Sequence, residues 1–344
     1  MRVAMYYSNN DVRLEEMPKP EAGPGELLIE IHASGICGSD VLEWYRIDKV
    51  PLVLGHEIAG EIVAVGEGLK GFKPGNRVSA SHHVPCGKCH YCLRGHESVC
   101  DTLRKTKFYP GGFSEYVKLP AENIELGGVY SLPEGLSYEE ATFTEPLACV
   151  LRGQRLAGMQ KADTVLVLGC GTSGLLHLQL ARRQGAHRVI ATDVVDFRLK
   201  KAEELGADKA VCAKDYTPDY LRKVNEGRLA DLVVLCTGAP SAIKQAFESV
   251  DKGGTILFFA AAGKDFQVPL PINEVFWRNE ITLTSSYAGS GQDHRDALRF
   301  ISEGAVNVKD MITHRFGLKD AGEGFKLVAE AGDCLKVVVE PQEV

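Results

Sequence analysis

Apolar and polar positions follow a regular alternation from residue 164 to residue 286. Short apolar runs occupy residues 164–169, 188–193, 209–213, 231–238, 254–262 and 281–286. Segments with apolar residues at helical spacing lie between these runs, at residues 174–186, 197–207, 217–227, 240–250 and 272–279. Apolar strands separated by amphipathic helices are typical of a doubly wound parallel sheet. The pattern therefore predicts an α/β fold with six parallel strands.

The first 150 residues or so are instead rich in glycine, proline and short β-branched runs. Such runs at residues 27–33, 57–66, 75–81 and 113–120 predict strands joined by turns. Residues 1–10 have the pattern of an edge strand, and the last 58 residues contain two helical stretches and a final strand at 334–341. This tail is too short for a domain of its own. We therefore predict one domain from residues 1–149 and 288–344, and a second from residues 150–287.

Composition excludes several classes of protein. The net charge is −7 and no block of Lys or Arg is present, which does not favour nucleic-acid binding. No run approaches 18 apolar residues, so no membrane span is expected. The first residues lack the layout of a signal peptide, and a cytoplasmic location is expected. In that reducing compartment, closely spaced cysteines indicate metal binding rather than disulfides.

A glycine-rich turn joins the first apolar run to its helix. It reads GCGTSG and offers Gly169, Gly171, Thr172, Ser173 and Gly174. A G-x-G-x-x-G turn between a strand and a helix, with an acidic residue about 20 positions later, is the fingerprint of dinucleotide binding. Asp193 is that residue, and it would accept hydrogen bonds from the adenosine ribose. Val194 and Val195 offer no cation to a 2′-phosphate. The prediction is NAD rather than NADP.

Four cysteines lie within fifteen residues, in the stretch CGKCHYCLRGHESVC. They are Cys86, Cys89, Cys92 and Cys100, and their short spacers let one loop surround a single ion. Four thiolates in a closed tetrahedron form a structural zinc site, which has no open position for substrate. The site would fold a lobe of about residues 84–104 that lacks a core of its own. An iron–sulfur cluster is the alternative metal group, and disulfides are disfavoured by the compartment.

A second set of possible ligands is spread along the chain. Cys37 stands alone in GICGSD, His56 and Glu57 follow in GHE, and Glu145 lies in TEPL. Cysteine, histidine and carboxylate can bind a catalytic zinc while one position stays open. Each residue alone has an ordinary structural explanation. Their occurrence together with the four-cysteine lobe and the nucleotide fingerprint indicates a catalytic centre.

These motifs together resemble the zinc-containing medium-chain alcohol dehydrogenases over essentially the whole chain. The resemblance is carried by GICGSD, GHEIAGEIVAVGEG, the four-cysteine lobe, GGFSEYV, TEPL, GCGTSG and VNVKDMITHRFGLKDAGEGF. Glu145 before Pro-Leu, and Gly-Ser after Cys37, are similar to the sorbitol/polyol and threonine dehydrogenase branch. The resemblance implies a GroES-like, mostly β catalytic domain beside a Rossmann NAD-binding domain, with two zinc ions per chain.

The resemblance also implies roles for individual residues. Cys37 and His56 match the constant zinc ligands, and either Glu57 or Glu145 supplies the third. Ser39 matches the hydroxyl that takes the proton of the alcohol, and Asp40 is expected to orient His56. Residues implied to border the cofactor are Thr237, Gly238, Ser286, Tyr287 and Arg198.

One position departs from the pattern of the branch. Relatives commonly carry a histidine two residues after the Asp of the GSD motif, and this chain has Leu42 there. A leucine cannot relay protons, so the proton leaves through ribose hydroxyls and water, or another group such as Glu43 takes the role. The departure weakens the threonine dehydrogenase interpretation in particular.

The predicted function is oxidation of a secondary alcohol, polyol-like, to a ketone with NAD+, at a site between the domains. L-threonine 3-dehydrogenase is the alternative activity. A non-catalytic NAD-binding regulatory protein is the alternative of another class, and the intact ligand set argues against it. The partner is a small-molecule alcohol, with no nucleic acid and no membrane, and a homotetramer is favoured over a dimer.

Overall fold

The computed structural model describes residues 1–270 and 272–343. Its strands, in chain order, are β1 (Arg2–Ser8), β2 (Asp11–Glu16), β3 (Leu27–Ile36), β4 (Leu52–Val53), β5 (Glu57–Val65), β6 (Arg77–Ala80), β7 (Tyr116–Leu119), β8 (Val129–Ser131), β9 (Thr164–Leu168), β10 (Arg188–Asp193), β11 (Lys209–Cys212), β12 (Ala230–Leu235), β13 (Val250–Phe258), β14 (Thr282–Ser285), β15 (Ile312–Phe316) and β16 (Lys336–Val339).

The helices are α1 (Glu43–Arg46), α2 (His90–Leu93), α3 (Asp101–Lys105), α4 (Ala121–Glu125), α5 (Tyr138–Ala141), α6 (Thr144–Leu156), α7 (Thr172–Arg183), α8 (Asp196–Glu204), α9 (Pro218–Val224), α10 (Pro240–Ser249), α11 (Ile272–Val275), α12 (Gly291–Ser302) and α13 (Ala321–Glu330). Short 3-10 helices lie at Ile47–Lys49, Glu97–Val99, Lys309–Met311 and Leu318–Asp320. Among the described residues, none of the helices has both the length and the apolar character that a membrane span requires.

The described chain divides into two compact units. Unit 1 contains residues 1–148, 288–304 and 308–344, and unit 2 contains residues 149–287 and 305–307. The predicted first domain included Cys149 and residues 305–307. The structure instead places them in unit 2.

Unit 1 is built on β-sheets. A sheet in the order β15-β16-β3-β5-β6-β8, with β7 also paired to β3, forms its centre, and β2-β1-β4 form a second sheet. The second sheet shares its apolar core with α13, where the Phe325 ring lies 5.4 Å from the rings of both Tyr6 and Phe113. Aromatic pairs of this kind contribute about 0.5–1.5 kcal/mol beyond the area that they bury.

Unit 2 contains a parallel sheet in the order β11-β10-β9-β12-β13-β14. The order runs outward in both directions from β9, which is the doubly wound arrangement of dinucleotide-binding folds. All five residues of β9 are buried, because helices cover both faces of a parallel sheet of this type. The predicted α/β fold with six parallel strands is confirmed.

Several local features of the structure differ from the predictions. Residues 1–10 do not form an edge strand, because β1 pairs with β2 on one side and with β4 on the other. The helix predicted at 272–279 covers only Ile272–Val275. Further along, Arg278 and Glu280 have φ of +66° and +54°, which lie in the left-handed region that an α-helix does not adopt. Strand β15 was not predicted, because its residues lack a clear alternation.

Candidate metal centres and nucleotide site

Two antiparallel strands bring together the residues of the first metal centre. Cys37 follows the last residue of β3, His56 precedes the first residue of β5, and Gly35 pairs with Glu57 across the two strands. Ligand atoms of Cys37, His56 and Glu57 lie within 4.8 Å of one another. The ends of β3 and β5 therefore place a thiol, an imidazole and a carboxylate at one point.

Asp40 holds the imidazole of His56 from behind. The Asp40 side chain is fully buried, and its Oδ1 lies 3.4 Å from His56 Nδ1. Its Oδ2 accepts the backbone N–H of Cys37 at 3.1 Å. Burial alone would raise the pKa of Asp40, but His56 and Arg46 hold the pKa of this carboxyl below its usual value. A contact at Nδ1 leaves Nε2 of His56 as the atom available to a metal.

Glu57 forms a buried ion pair with Lys336 on β16. Glu57 Oε2 lies 2.5 Å from Lys336 Nζ, and both side chains are 1% exposed. The pair occupies space that only glycine leaves free at position 35, because a Cβ there would lie 2.2 Å from Glu57 Oε2. Glu57 is therefore held at the metal centre by a cation from the far end of unit 1's sequence.

Of the other predicted catalytic residues, Ser39 lies beside this cluster, and Glu145 is not part of it. Glu145 is in the first turn of α6 and is not a member of the group of three within 4.8 Å. Ser39 is partly exposed, and its N–H lies 3.5 Å from Cys37 Sγ, which places Ser39 beside the thiol. Glu43, the possible substitute in the proton relay, accepts the N–H of Asn9 at 3.1 Å. One oxygen of this carboxylate is thus held by the turn between β1 and β2.

The donor set at this centre fits a catalytic zinc ion. One thiolate, one imidazole and one carboxylate are the ligand types of such sites, where a fourth position stays open for substrate. When bound, zinc would lower the pKa of an alcohol at that position. Asp40 behind His56 is the outer carboxylate that histidine ligands of zinc ordinarily have.

The four cysteines of the lobe also converge. Ligand atoms of Cys86, Cys89, Cys92 and Cys100 lie within 4.8 Å of one another, and all four are free thiols. Their recorded Sγ–Sγ distances are 3.5 Å, 3.6 Å and 4.0 Å. Sulfurs placed about 2.3 Å from one tetrahedral zinc ion are roughly 3.8 Å apart. The spacing therefore fits a closed zinc tetrahedron.

The lobe has little core apart from these ligands. Its buried cluster consists of Cys92, Cys100, Leu103 and Ala288, packed against Cys86 and Cys89. Leu93 is 75% exposed and Tyr91 is 45% exposed. Burial disfavours ionisation of Cys100, but backbone N–H groups of Cys86 and Leu103 outweigh it and lower the pKa of the thiol to about 6. A metal ion would thus supply stability that apolar packing does not.

The glycine turn of unit 2 is shaped for close approach of a phosphate. Gly169 has φ of +97°, a conformation that favours glycine. A Cβ at Gly174 would lie 1.9 Å from Gly169 O, so the helix packs directly on the turn. A Cβ at Gly171 would meet only Arg198 Nη1, at 3.8 Å, and Gly171 is the N-cap of the 12-residue helix α7. This open N-terminus fits a dinucleotide pyrophosphate.

The carboxylate of Asp193, at the end of β10, already accepts hydrogen bonds from neighbouring backbone N–H groups. Its Oδ2 accepts the N–H of Cys170 at 2.7 Å, and its Oδ1 accepts those of Val194 and Val195 at 2.8 and 3.0 Å. A carboxylate has about four lone-pair sites, so capacity for roughly one ribose hydroxyl is left. Thr237 lies beside Gly169, with its Cβ 3.2 Å from the position of a Cβ there.

The remaining predicted cofactor contacts are on the surface of the turn or further along the chain. Thr172 and Ser173 begin α7 and are partly exposed, and Tyr287 is 54% exposed. A Cβ at Gly238 would lie 2.3 Å from Ala261 O, so glycine is required there for close packing.

Sequence reasoning missed several side chains of the first metal centre. They are Lys336, Arg46, His82 and His83. The His82 ring lies 4.9 Å from the His56 ring and 3.7 Å from the His83 ring. Burial, with the neighbouring histidines, lowers the pKa of His82 well below its ordinary value, and burial lowers the pKa of His83 to about 4. One signal for Lys336 was available, because it is a lysine inside an apolar strand. A buried charge is almost always paired, so its position could have predicted a carboxylate partner.

Comparison with known families matches both halves of the chain. Residues 23–128 match the alcohol dehydrogenase GroES-like domain, and residues 174–303 match the zinc-binding dehydrogenase family. The sorbitol dehydrogenase of Bacillus subtilis (strain 168) is 30% identical, covering 99% of this chain and 97% of the relative. The L-threonine 3-dehydrogenase of Bacillus licheniformis is 34% identical, covering 95% and 94%. A solved dehydrogenase from Sinorhizobium meliloti 1021, bound to NADP, is 29% identical with a TM-score of 0.86, covering 99% of each chain.

A GroES-like fold with a four-cysteine centre and a Cys-His-Glu centre, in one chain with a Rossmann sheet, defines a zinc-dependent dehydrogenase. The chain belongs to the zinc-containing medium-chain alcohol dehydrogenase family, in the branch of the sorbitol and threonine dehydrogenases. It is an NAD-dependent alcohol dehydrogenase with zinc as its metal.

Proposed function

We propose that the protein oxidises a polyol-like secondary alcohol to a ketone. The carbinol C–H bond breaks and its hydride adds to the nicotinamide of NAD+, while the hydroxyl proton is released. The observation that carries this proposal is the convergence of Cys37, His56 and Glu57 within 4.8 Å, with Asp40 at the other nitrogen of the imidazole.

Each residue of the centre has a proposed part in the reaction. Cys37 and His56 hold the zinc ion, and Glu57 or Glu145 completes its protein ligands. Ser39, which lies next to Cys37 Sγ, accepts the hydroxyl proton of the substrate. Leu42 cannot accept that proton in turn, so the proton passes from Ser39 to water, or to the exposed Glu43 carboxylate, which keeps free lone pairs beside the N–H of Asn9.

A polyol is the proposed substrate for two reasons. Sorbitol dehydrogenases of several organisms are about as similar to this chain as the threonine dehydrogenase is. Leu42 also replaces the histidine that relatives in the polyol and threonine branch commonly carry, a departure that weakens the threonine interpretation in particular. L-threonine is kept as the second candidate because its dehydrogenase is 34% identical over 95% of the chain.

A substrate panel tests this proposal. Purified protein is assayed with sorbitol, xylitol, 2,3-butanediol and L-threonine, each with NAD+ and with NADP+, before and after removal of zinc by a chelator. A polyol is expected to give the highest kcat/KM with NAD+, and chelation is expected to abolish turnover. Preference for L-threonine would replace the polyol proposal, and turnover that survives loss of the first-centre zinc would overturn the catalytic role of that centre.

We also propose a homotetramer. Its support is the edge of the unit 2 sheet, where β14 pairs with β13 in the described residues and Leu283 is 36% exposed. An exposed edge strand offers unpaired N–H and C=O groups to a second copy. Analytical ultracentrifugation decides between a tetramer and smaller species.

A further inference from the structure

Arg46 reaches back from α1 to the loop that follows Cys37. Its Nε donates to the carbonyl oxygen of Ser39 at 3.2 Å, and its Nη2 lies 3.4 Å from Asp40 Oδ1. The Arg46 side chain is 15% exposed. One rigid guanidinium therefore spans two consecutive residues, one proposed to take the substrate proton and the other to orient His56.

Asp40 needs a positive partner once His56 binds a metal. A carboxylate that is 0% exposed is costly without a compensating charge. An imidazole must be neutral to serve as a ligand, so His56 cannot supply that charge in the zinc-bound protein. Among the described residues, Arg46 is the permanent cation in contact with Asp40.

The same oxygen of Asp40 meets both groups. His56 Nδ1 and Arg46 Nη2 each lie 3.4 Å from Oδ1, while Oδ2 accepts the N–H of Cys37. A displacement of Asp40 would therefore move the imidazole and the backbone of the thiol ligand together. Lysine could supply the charge but not the two-point contact, because its ammonium is a compact group on a flexible stem.

We propose that Arg46 is the positioning residue of the catalytic zinc centre. It neutralises Asp40 when His56 is an uncharged ligand, and it fixes the Ser39 carbonyl, so that the turn from Cys37 to Asp40 keeps the geometry that zinc requires. This inference rests on the zinc centre proposed above but not on the identity of the alcohol.

The test compares zinc retention and the metal spectrum of three variants, R46M, R46K and R46Q, with those of Lys49→Met. Lys49 is the matched control, since its Nζ lies 3.6 Å from the Tyr45 ring and the Arg46 Cζ lies 4.9 Å from the same ring. Lys49 therefore shares the ring contact of Arg46. The measurements are the rate of zinc loss to a chelator and the visible absorption of protein with cobalt(II) at the first centre.

R46M is expected to bind the first-centre zinc about 10- to 100-fold more weakly, as for outer partners of metal ligands generally, and therefore to lose it faster to the chelator. Its cobalt bands are expected to shift, R46K is expected to be intermediate, and Lys49→Met is expected to match the unchanged protein. The Cys86 to Cys100 zinc serves as the internal reference, because none of these substitutions touches it.

Unchanged zinc loss and an unchanged cobalt spectrum in R46M would overturn the inference, as would an equal effect of Lys49→Met. If R46M does not fold, the same two measurements on R46Q and R46K decide. A rate of zinc loss and a cobalt spectrum of R46Q equal to those of the unchanged protein would count against the proposal. Absence of any Cys37-dependent zinc in the unchanged protein would instead refute the proposed function itself.

Discussion

Lys336 Nζ lies 2.5 Å from Glu57 Oε2, and the two side chains form a fully buried ion pair at the catalytic centre. Glu57 therefore has a counter-charge whether or not a metal is bound. The lysine Nζ also lies 5.2 Å from the centroid of the Phe143 ring, and both side chains of the pair are only 1% exposed. In such surroundings, loss of either partner leaves an uncompensated charge.

The first prediction concerns this pair. Lys336→Met should lower the free energy of unfolding by about 3–5 kcal/mol, the usual cost of removing one partner of a buried pair. Lys118→Met is the matched control, because Lys118 and Glu26 lie 3.1 Å apart but are 28% and 20% exposed. That control should lose at most about 1 kcal/mol. Chemical unfolding followed by fluorescence measures both, and equal losses would contradict the special position of the buried pair.

The second prediction concerns Ser39. Ser39→Ala should lower kcat by about 100-fold, since general acid–base groups contribute in that range. Ser39→Thr keeps the hydroxyl and should retain most of the activity. Zinc content is measured in both variants and should stay at the unchanged value. A Ser39→Ala enzyme with full kcat would remove Ser39 from the mechanism.

The third prediction concerns the four-cysteine lobe. Cys92→Ser should reduce the zinc content from two ions per chain to one and should make residues 84–104 sensitive to proteases, because the lobe has little core besides its ligands. Cys212→Ser, at a free thiol of unit 2, should keep both ions. Mass spectrometry under native conditions counts the metals. Strong visible absorption of the unchanged protein as purified would indicate an iron–sulfur cluster instead.

The fourth prediction concerns the choice of cofactor. Asp193→Asn should reduce the preference for NAD+ over NADP+ in kcat/KM by roughly 10- to 100-fold, since a hydrogen bond to a charged group is worth about 1.5–3 kcal/mol. Because Asp193 also holds three N–H groups of the turn, both absolute values should fall, and the ratio isolates the ribose contact. Asp196→Asn, at an exposed carboxylate in the first turn of α8, should leave the ratio unchanged.

The fifth prediction concerns His177 in α7, which is 0% exposed and accepts a hydrogen bond at Nδ1 from Gln154 Nε2 at 3.2 Å. Burial lowers the pKa of His177 from 6.5 to about 3. The unfolded chain therefore binds a proton at a higher pH than the folded protein does. The contribution of His177 to stability is complete above pH 6.5 and is lost as the pH falls towards 3.

His177→Asn should remove that pH dependence, because an amide does not titrate and its oxygen can replace Nδ1 as the acceptor. Between pH 6.5 and 5, the unchanged protein should lose about 2 kcal/mol more stability than the variant. Urea unfolding at several pH values measures the difference. Parallel curves for the two proteins would show that folding does not change the pKa of His177.

The sequence predicted those parts of the molecule that depend on neighbours in the chain. The strands of unit 2 carry their own apolar period, and the glycine turn and the four cysteines are local motifs with fixed spacing. Cys37 and His56 were found because each lies in a short recognisable motif at the end of a strand. These features need no knowledge of which distant residues meet.

The parts that were missed depend on long-range packing or on very short elements. Lys336 meets Glu57 across 279 residues, and no pattern in either segment names the other. Arg46 ends a four-residue helix, which is too short to show a helical period. The interior position of β1 depends on β4, a two-residue strand that no sequence pattern marks.

Because Glu57 and Lys336 are far apart in the chain, Glu57 is synthesised long before its partner. A ribosome adding about 5–20 residues per second needs roughly 14 to 56 seconds between the two codons, which lie 279 positions apart. Residues 149–287 of unit 2 are synthesised within that interval. Throughout it, the nascent chain carries the Glu57 carboxylate and the Cys37 thiol without β16. Binding of zinc or of a chaperone during synthesis would protect Glu57 and Cys37 until the final strand is made.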